Sequence, residues 1–485
     1  MKNFYLIIFS AVLFLQKSYS QEMLGIANSN YAGLTGLSLN PASMVNGKIK
    51  VDINLITAGI NFENNYFVIP KSKLTFFGFK NIADQIDNNA FLDNSSTSDK
   101  QMNMSSFANA LSFLFSVKQN WFAFRFNVRS AASVSGLQYA ISKFAYEGLD
   151  YAPLQNQEFS SGKIGINFLS WGEFALSYGR IISDKEKNFF KGGITLKKLN
   201  GFYGTFFKSD GLNFNVLNDS VLYVQNSSFS YGRSWIENNN GGGLNGITAG
   251  NGFGFDLGLI YEYRPDYEKY LYEVDGEKLE NPRMNSYKLR AGISLIDFGQ
   301  ISFTKDASLH EFNIPNQRIW FGYDTAKFST DNFDTTLSSV FLGDPYRSKT
   351  ADKFKMALPT TVSVQLDYKF TEKIYANATW IQGLSGETPR PKAPSIISIT
   401  PRYEISWFEV AAPLSYYQYD VFRIGLAFRL SSFIIGSDKI GSLMGISDMS
   451  GMDFYFALKF SLFKNRISDR DHDGVSDKRD KCPDT

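Results

Sequence analysis

Cysteine is nearly absent from this chain and histidine almost as scarce: one Cys and two His in 485 residues. A single cysteine excludes an internal disulfide framework, and so small a His/Cys stock excludes a clustered zinc site. Lys and Arg number 49 against 47 Asp and Glu, a formal net charge of +2, so nothing points to nucleic acid. Long apolar runs are missing too. Phe4 to Leu15 falls short of the about 20 apolar residues a spanning helix needs. It follows the basic start Met1-Lys2-Asn3 and precedes Lys17-Ser18-Tyr19-Ser20, so residues 1–20 read as a secretory signal peptide cleaved after Ser20. An exported chain without a spanning helix is soluble in the periplasm, released, or a β-barrel.

Aromatic residues are abundant. There are 45 Phe, 26 Tyr and 39 Gly, yet mean hydropathy is only −0.19. A large soluble core raises hydropathy in blocks, whereas alternating lipid-facing and lumen-facing residues cancel. Such alternation recurs. Ile49, Val51, Ile53 and Leu55 alternate with Lys50, Asp52 and Asn54, and Phe122, Phe124, Phe126 and Val128 with Ala123, Arg125, Asn127 and Arg129. The same period runs from Phe253 to Tyr263 (interrupted at Ile260), Val362 to Phe370, Phe422 to Leu430 and Phe454 to Leu462. Segments of about ten residues match a tilted strand crossing the hydrocarbon layer. A soluble sandwich would also alternate, but two details favour the membrane. Trp121, Trp171, Tyr261, Tyr263 and Tyr368 stand near segment ends, as aromatic girdles do, and the opposite faces carry Arg, Lys, Asp and Asn. The expected fold class is all-β: one transmembrane antiparallel β-barrel of about 14 strands, with even numbers from about 12 to about 16 compatible.

The connections are uneven. Lys118-Gln119-Asn120, Ser170-Trp171-Gly172 and Leu199-Asn200-Gly201 suit tight turns. Asn81 to Ser106, Ala131 to Ser161, Ser209 to Asn251, Pro265 to Asn285 and Lys305 to Leu358 are long, with Asn238 to Gly243 the most loop-like in composition. Some of these stretches have room for hairpins, for example around Val221 to Tyr231. Convention puts most long loops outside the cell and short turns on the periplasmic side. No internal repeat of fixed period is visible.

The last residues carry the one motif with defined chemistry. From Asp469 the chain reads as a calcium loop: Asp469, Asp471 and Asp473 at positions 1, 3 and 5, Gly474 at the sharp turn, the Val475 carbonyl at 7, Asp477 at 9 and Asp480 at 12. A hard cation needs six to eight oxygens, and alternate residues of a tight loop can all point inward. The loop departs from an EF-hand in having Asp480 where a bidentate Glu is usual, and no amphipathic helices flank it. Continuing through Cys482-Pro483, it resembles a thrombospondin type 3 repeat. In bacteria such repeats commonly join an outer-membrane barrel to a peptidoglycan-binding OmpA-type domain. The resemblance implies a calcium ion in the linker and a cysteine partner for Cys482 in a next repeat.

Asn40-Pro41-Ala42, just ahead of the first strand, is similar to the N-P-A signature that opens FadL-like barrels, including PorV-type barrels of Bacteroidota. Ile435 to Leu443 followed by Met452 to Leu458 resembles the closing segment of a Bacteroidota barrel family of unassigned function. Together these resemblances cover nearly the whole mature chain. They imply residues 21–47 as a periplasmic N-terminal segment, 48–464 as the barrel and 465–485 as the calcium-binding linker. An OmpA-type domain is expected after the linker, and none lies within these residues.

Enzyme chemistry finds little support. Of the two histidines, His472 lies in the calcium loop and His310 in a long loop, and no G-x-S-x-G elbow surrounds any serine. Gly250-Asn251-Gly252-Phe253-Gly254 runs into a strand, so glycine on a lumen face explains it better than phosphate binding. The expected function is non-enzymatic: an envelope anchor joining outer membrane to peptidoglycan, and an accessory subunit of an outer-membrane machine such as barrel insertion or type 9 secretion. The expected partners are outer-membrane lipid, other outer-membrane proteins and, through the missing domain, peptidoglycan. The alternative is a FadL- or porin-like channel for hydrophobic or small solutes. In that case Arg125, Arg129, Asp256 and Glu262 either line a pore or pair with one another and plug it. A surface adhesin or receptor acting through the long loops is the third reading.

Overall fold

The structure is a computed structural model describing residues 23–45, 48–73, 92–93, 99–234, 248–322, 332–471 and 474–480. The signal peptide, Asn238 to Gly243, His472, Asp473 and Cys482 therefore lie outside the described residues. The fourteen wall strands follow chain order. β1 is Ile49–Asn64, β2 Lys100–Val117, β3 Asn120–Leu137, β4 Ile164–Lys185 and β5 Asn188–Asn218. β6 has two pieces, Val221–Ser234 and Gly250–Tyr263, and β7 three, Leu289–Phe303, Ala307–Ile314 and Arg318–Phe321. β8 combines Lys349–Ala351, Phe354–Ala357 and Thr361–Lys369; β9 is Ile374–Gly383 and β10 Ile396–Glu404. β11 joins Phe408–Ala411 to Leu414–Tyr417, β12 joins Val421–Ile424 to Leu426–Leu430, and β13 (Phe433–Ser437) and β14 (Gly451–Phe463) complete the wall. β14 pairs with β1, Ile53 opposite Phe460 and Ile60 opposite Phe454, so the antiparallel sheet closes and leaves no edge.

Period-two alternation sets the two faces. Along β3, Phe122 and Phe124 are outward and 38% and 39% exposed, while Ala123 and Arg125 are buried inside. Ile260, which interrupts its segment, is buried on the inner face, whereas Leu257 and Leu259 before it are exposed. The result is an apolar belt around a polar interior, the arrangement a bilayer demands of a barrel.

The expected aromatic girdle needs correcting at two positions. Tyr263 and Tyr368 are exposed, but Trp121 and Trp171 are buried inside the wall. Their parity explains it, since Trp121 is out of phase with the outward series Phe122, Phe124, Phe126. Two turn readings also fail. Ser170-Trp171-Gly172 lies within β4 and Leu199-Asn200-Gly201 within β5. Trp171, Leu199, Ile301 and Phe303 form one buried cluster, and a Cβ on Gly201 would stand 2.8 Å from Ile301 Cγ2. Small residues there admit close packing; they do not reverse the chain.

Short turns do lie along one rim: Lys118-Gln119, Glu186-Lys187 and Phe370 to Lys373 join successive strands there. Lys118 and Glu186 take the left-handed conformation (φ 55° and 49°) that two-residue hairpin loops require. Pro265 to Asn285 rises from this same turn rim and holds a small hairpin, Leu271–Val274 with Glu277–Glu280. Asp275 and Gly276 close it at φ 55° and 76°, the I′ pattern. On the opposite rim, β5, β6 and β7 extend well beyond the belt, and Val221–Ser234 is a strand of that extension. Helix α1 (Tyr139–Glu147) and helix α2 (Phe333–Leu342) sit at this loop rim, α2 ending at left-handed Gly343.

Residues 23–45, expected as a periplasmic segment, pack inside the barrel. Met23, Leu24, Ile26, Leu34, Leu37, Met44 and Val45 are all at most 4% exposed, against clusters contributed by the strands. A segment this apolar gains more by burial in the lumen than it would in water, each such side chain contributing about 1.5–3 kcal/mol.

Candidate functional site

Charged and apolar groups converge inside the barrel, and residues 23–45, the plug, organise them. Two short 3-10 turns, Gly33–Ser38 and Pro41–Met44, fold the plug back on itself. Asn40 initiates the second. Its side chain accepts from Ala42 N (2.9 Å), and Pro41 occupies the first turn, where a missing N–H costs nothing. The same side chain donates to Gln365 Oε1 of β8 (3.0 Å) and Ile293 O of β7 (3.3 Å). Asn-Pro-Ala is thus the latch between plug and wall. Glycines make room for it: a Cβ on Gly193 would stand 2.5 Å from Pro41 C, and one on Gly258 would overlap Asn40 itself.

Ion pairs fill the wall around the plug. Arg402 bridges Asp367 (2.6 Å) and Glu404 (3.0 Å), and Arg290 reaches Asp367 (3.2 Å) and the carbonyl of Asn28 (2.6 Å). Lys459 donates to the carbonyl of Ala32 (2.6 Å) and pairs with Asp52 (3.4 Å), which accepts from Leu34 N (2.8 Å). Arg429 pairs with Glu409 (3.0 Å), which accepts from Ser29 Oγ (2.7 Å). Buried charge is tolerated only when paired and hydrogen-bonded, and here plug and wall satisfy each other.

Of the four lumen residues singled out from sequence, three are paired. Arg129 reaches Asp297 (2.7 Å) and Glu173 (3.4 Å), Asp256 pairs with Lys197 (2.7 Å), and Glu262 with Lys191 (2.8 Å) and Arg264 (2.9 Å). Arg125, the fourth, is 6% exposed and makes no hydrogen bond or ion pair with any described residue. Asp297 was not foreseen. It sits at φ 59° in a bulge where the β6–β7 register slips between Phe255 and Leu257, and its N donates to Asp256 Oδ1 (2.8 Å). A bulge re-aims a side chain, and this one turns a carboxylate inward beside Lys197 and Arg129.

Two cavities flank Lys197. A chamber of about 120 Å³ lies above the plug, floored by Leu34, Leu37 and Leu39 and walled by Arg125, Trp171 and Lys197. A second space of about 810 Å³ is lined by outward phenylalanines (Phe124, Phe174, Phe253, Phe298) and by Lys197, Thr360 and Arg390. It lies where β7 changes partners: Gln300–Phe303 pair with one piece of β8 and Leu289–Ile296 with the next, and the ladder is interrupted between them. Lys197 lines both spaces.

The tail loop is partly in view. Gly474 has φ 90°, as the sharp turn of the calcium reading requires, and its N donates to Asp469 Oδ2 (3.2 Å). Asp469 Oδ1 is buried with no hydrogen-bond partner among the described residues. Asp477 instead accepts from Arg470 N (2.9 Å). Asp471, Val475 and Asp480 lie on the same loop, and Asp473 is outside the described residues. Among the described residues no three acidic, His or Cys side chains converge on one metal position. The loop rests on the turn-rim hairpin: Asp275 N donates to Gly474 O (2.7 Å), Ser476 N to Asp275 Oδ1 (2.9 Å), and Arg466 lies over the Tyr272 ring (4.3 Å).

His310 has partners that its spacing did not suggest. Its Nδ1 is 3.0 Å from Ser348 Oγ and its Nε2 3.4 Å from Asp334 Oδ2. Ser348 is 1% exposed beside α2, so its hydroxyl offers no access to a substrate.

No curated protein matches the chain. Among solved structures, the Ralstonia pickettii toluene transporter TbuX is similar at 11% identity and TM-score 0.40, over 93% of this chain and 100% of its own. The Pseudomonas putida toluene transporter TodX follows at 11% identity and TM-score 0.38, over 93% and 98%. A Pseudomonas aeruginosa FadL homologue gives 11% and 0.31, over 92% and 98%. A family profile matches residues 41–438, from the proline of the plug latch to the end of β13. By that match the chain belongs to the family of unknown function DUF5723.

Proposed function

We propose that this protein is an outer-membrane channel that passes small hydrophobic or amphiphilic solutes sideways through its wall, the turn rim facing the periplasm. One observation carries the reading: Lys197 lines both the luminal chamber and the phenylalanine-rich space at the break in the β7–β8 ladder. A plugged lumen is a poor conduit for ions. An apolar recess adjoining a chamber suits a molecule that leaves water for the membrane. The test is uptake of a radiolabelled hydrophobic solute by cells carrying the protein. Thr388→Trp, which puts an indole into the recess from the β9–β10 loop, should cut uptake several-fold while the barrel still folds. Uptake unchanged by that substitution, or equal to cells without the protein, would end the proposal.

The anchor reading retains one specific support, the docking of the tail on the turn-rim hairpin. A linker held there would project a following domain, or a partner's, towards peptidoglycan, with calcium bound by Asp469, Asp471, Asp473, Asp477, Asp480 and the Val475 carbonyl. Stoichiometric co-purification of envelope proteins from native membranes in mild detergent is its test, and recovery of the barrel alone would remove it.

A further inference from the structure

The recess at the break in the β7–β8 ladder is bordered by two cations from different elements. Outward positions along β5 are apolar at Phe190, Ile194 and Leu196 and turn polar at Lys198 and Asn200. On β6 the outward series passes from Phe253 to Asn251, and on β7 from Phe298 to Gln300. Lys198 stands opposite Phe253, and Phe253 opposite Gln300, so the change falls side by side on three strands. Such a border is where the hydrocarbon layer gives way to lipid headgroups, here on the side away from the turn rim. The Lys198 ammonium lies 4.4 Å from the centroid of the Phe253 ring. Arg390 reaches the same recess from residues 384–395, which are tied to β8 by Ala357 N donating to Pro389 O (2.9 Å). Its guanidinium donates to Thr360 Oγ1 (3.4 Å), while its Nε is buried with no hydrogen-bond partner among the described residues. A guanidinium has five donors, so most of this one is unspent.

Among the described residues no carboxylate lines this space. Its walls are apolar, led by Phe124, Phe174, Phe253 and Phe298, and its volume of about 810 Å³ is within the range of ligand sites. These phenylalanines belong to the lipid-facing belt, so what enters the recess from that side comes out of the bilayer. Two cations without an acid, set above an apolar trough at headgroup height, suit an anionic head on a long apolar tail. We infer that the recess holds one phosphate-headed membrane lipid, its phosphate on Lys198 and Arg390 and an acyl chain along the phenylalanines. A lone lysine at this height would be an ordinary snorkelling side chain. A second cation, delivered by another connection and left without an acid, turns the border into a headgroup site. The inference does not rest on the channel reading: a solute leaving through the recess would displace this lipid, but the lipid needs no solute.

The test uses the whole barrel, purified in a neutral maltoside detergent, and native mass spectrometry with three probes. They are dioleoylphosphatidylglycerol, dioleoylglycerol (the chains without the phosphate) and glycerol phosphate (the head without the chains). The phosphatidylglycerol should be retained one per barrel, at least about tenfold more than either fragment, because charge-assisted contacts and apolar burial act together. Lys198→Gln and Arg390→Gln, each checked for folding by heat-modifiable migration, should lower that retention several-fold. The double variant should lose the preference over dioleoylglycerol. Crystals of the wild-type protein grown with phosphatidylglycerol carrying a dibrominated acyl chain should place bromine beside Phe174, Phe253 and Phe298, an outcome that needs no variant. Equal retention of dioleoylglycerol, equal retention of glycerol phosphate, a preference that survives the double variant, or bromine elsewhere would each overturn the inference. Lipid retention without solute uptake retires the channel and keeps the site; uptake without lipid retention does the reverse.

Discussion

Asn40 of the plug lies against the bare backbone of Gly258 in β6, so closely that the smallest side chain at 258 would occupy the space of the Asn40 amide. The same amide is hydrogen-bonded to Gln365 and caps the turn that begins at Pro41. One wall glycine therefore decides whether the plug can seat. Gly258→Val keeps a strand-compatible backbone but overfills the contact, a change that costs about 1–3 kcal/mol in a packed interior. The expected outcome is a folded barrel with an unseated plug: single-channel conductance in planar bilayers rises from almost none to a steady open level. A closed Gly258→Val barrel would mean that the latch does not hold the plug.

Arg402 offers a stability test. It is 1% exposed on its side chain and bridges two equally buried carboxylates, Asp367 and Glu404. Arg402→Met removes the bridge and leaves both in place, and breaking a buried pair from one side costs about 3–5 kcal/mol. Asp367 retains Arg290 and the Tyr287 hydroxyl (2.6 Å), so the loss should fall towards the lower end. Urea unfolding followed by tryptophan fluorescence should show the midpoint falling well below wild type. Adding Asp367→Asn and Glu404→Gln to Arg402→Met should recover part of it. A midpoint unchanged in the single variant would show that the lumen network contributes little.

Asp334 provides a pH dependence at the loop rim, outside the membrane belt. Burial alone would raise its carboxyl; contacts with His310 and Tyr231, and the charges of His310 and Arg233, outweigh that and pull it down to about 2. A depressed carboxylate stabilises fully above its unfolded value near about 4, and the stabilisation is lost as pH falls through the folded value. The advantage of wild type over Asp334→Asn in protecting α2 from an acid protease, each pair compared at one pH, should therefore hold at pH 5. It should shrink only between about pH 4 and about pH 2. An advantage that fades nearer neutrality, or persists unchanged at the acid end, would contradict this account.

Much of the wall was legible because period two is a local property: each strand states its own faces, and Arg125, Arg129, Asp256 and Glu262 were placed on the lumen side without any tertiary information. Trp121 and Trp171 went astray through neglect of that same rule, since residue type suggested a girdle while parity put them inside. The plug was less accessible. Asn40-Pro41-Ala42 stood out as a motif, but its destination depends on Gly193 and Gly258, far away in sequence. A usable signal existed in Met23 to Val45, which is too apolar for a solvated segment. Asp297 was invisible because a bulge shifts the register by one residue, and alternation has no way to announce it. The pairing choices were open for a similar reason: sequence showed cations and carboxylates facing one lumen, and only the assembled barrel shows that Arg125 is the one left over.

The tail gives a prediction that separates docking from metal binding. Asp275, at the tip of the turn-rim hairpin, holds the linker by accepting from Ser476 N while its own N donates to Gly474 O. The hydrogen bond from Ser476 keeps the Asp275 carboxyl below the usual carboxylate range. Asp275→Ala removes the side-chain contact and leaves every proposed calcium ligand intact. Trypsin should then cut at Arg466 and Arg470 several-fold faster, with the barrel's own heat stability unchanged. If the loop binds calcium, a chelator should accelerate the same cuts in wild type, and Asp471→Asn with Asp473→Asn should remove that sensitivity by weakening a hard-cation site. Cleavage that responds to the chelator but not to Asp275→Ala would leave the metal loop standing and discard the hairpin as its dock. The opposite pattern would keep the dock and discard the metal, and cleavage indifferent to both would reduce the tail to a solvated extension of β14.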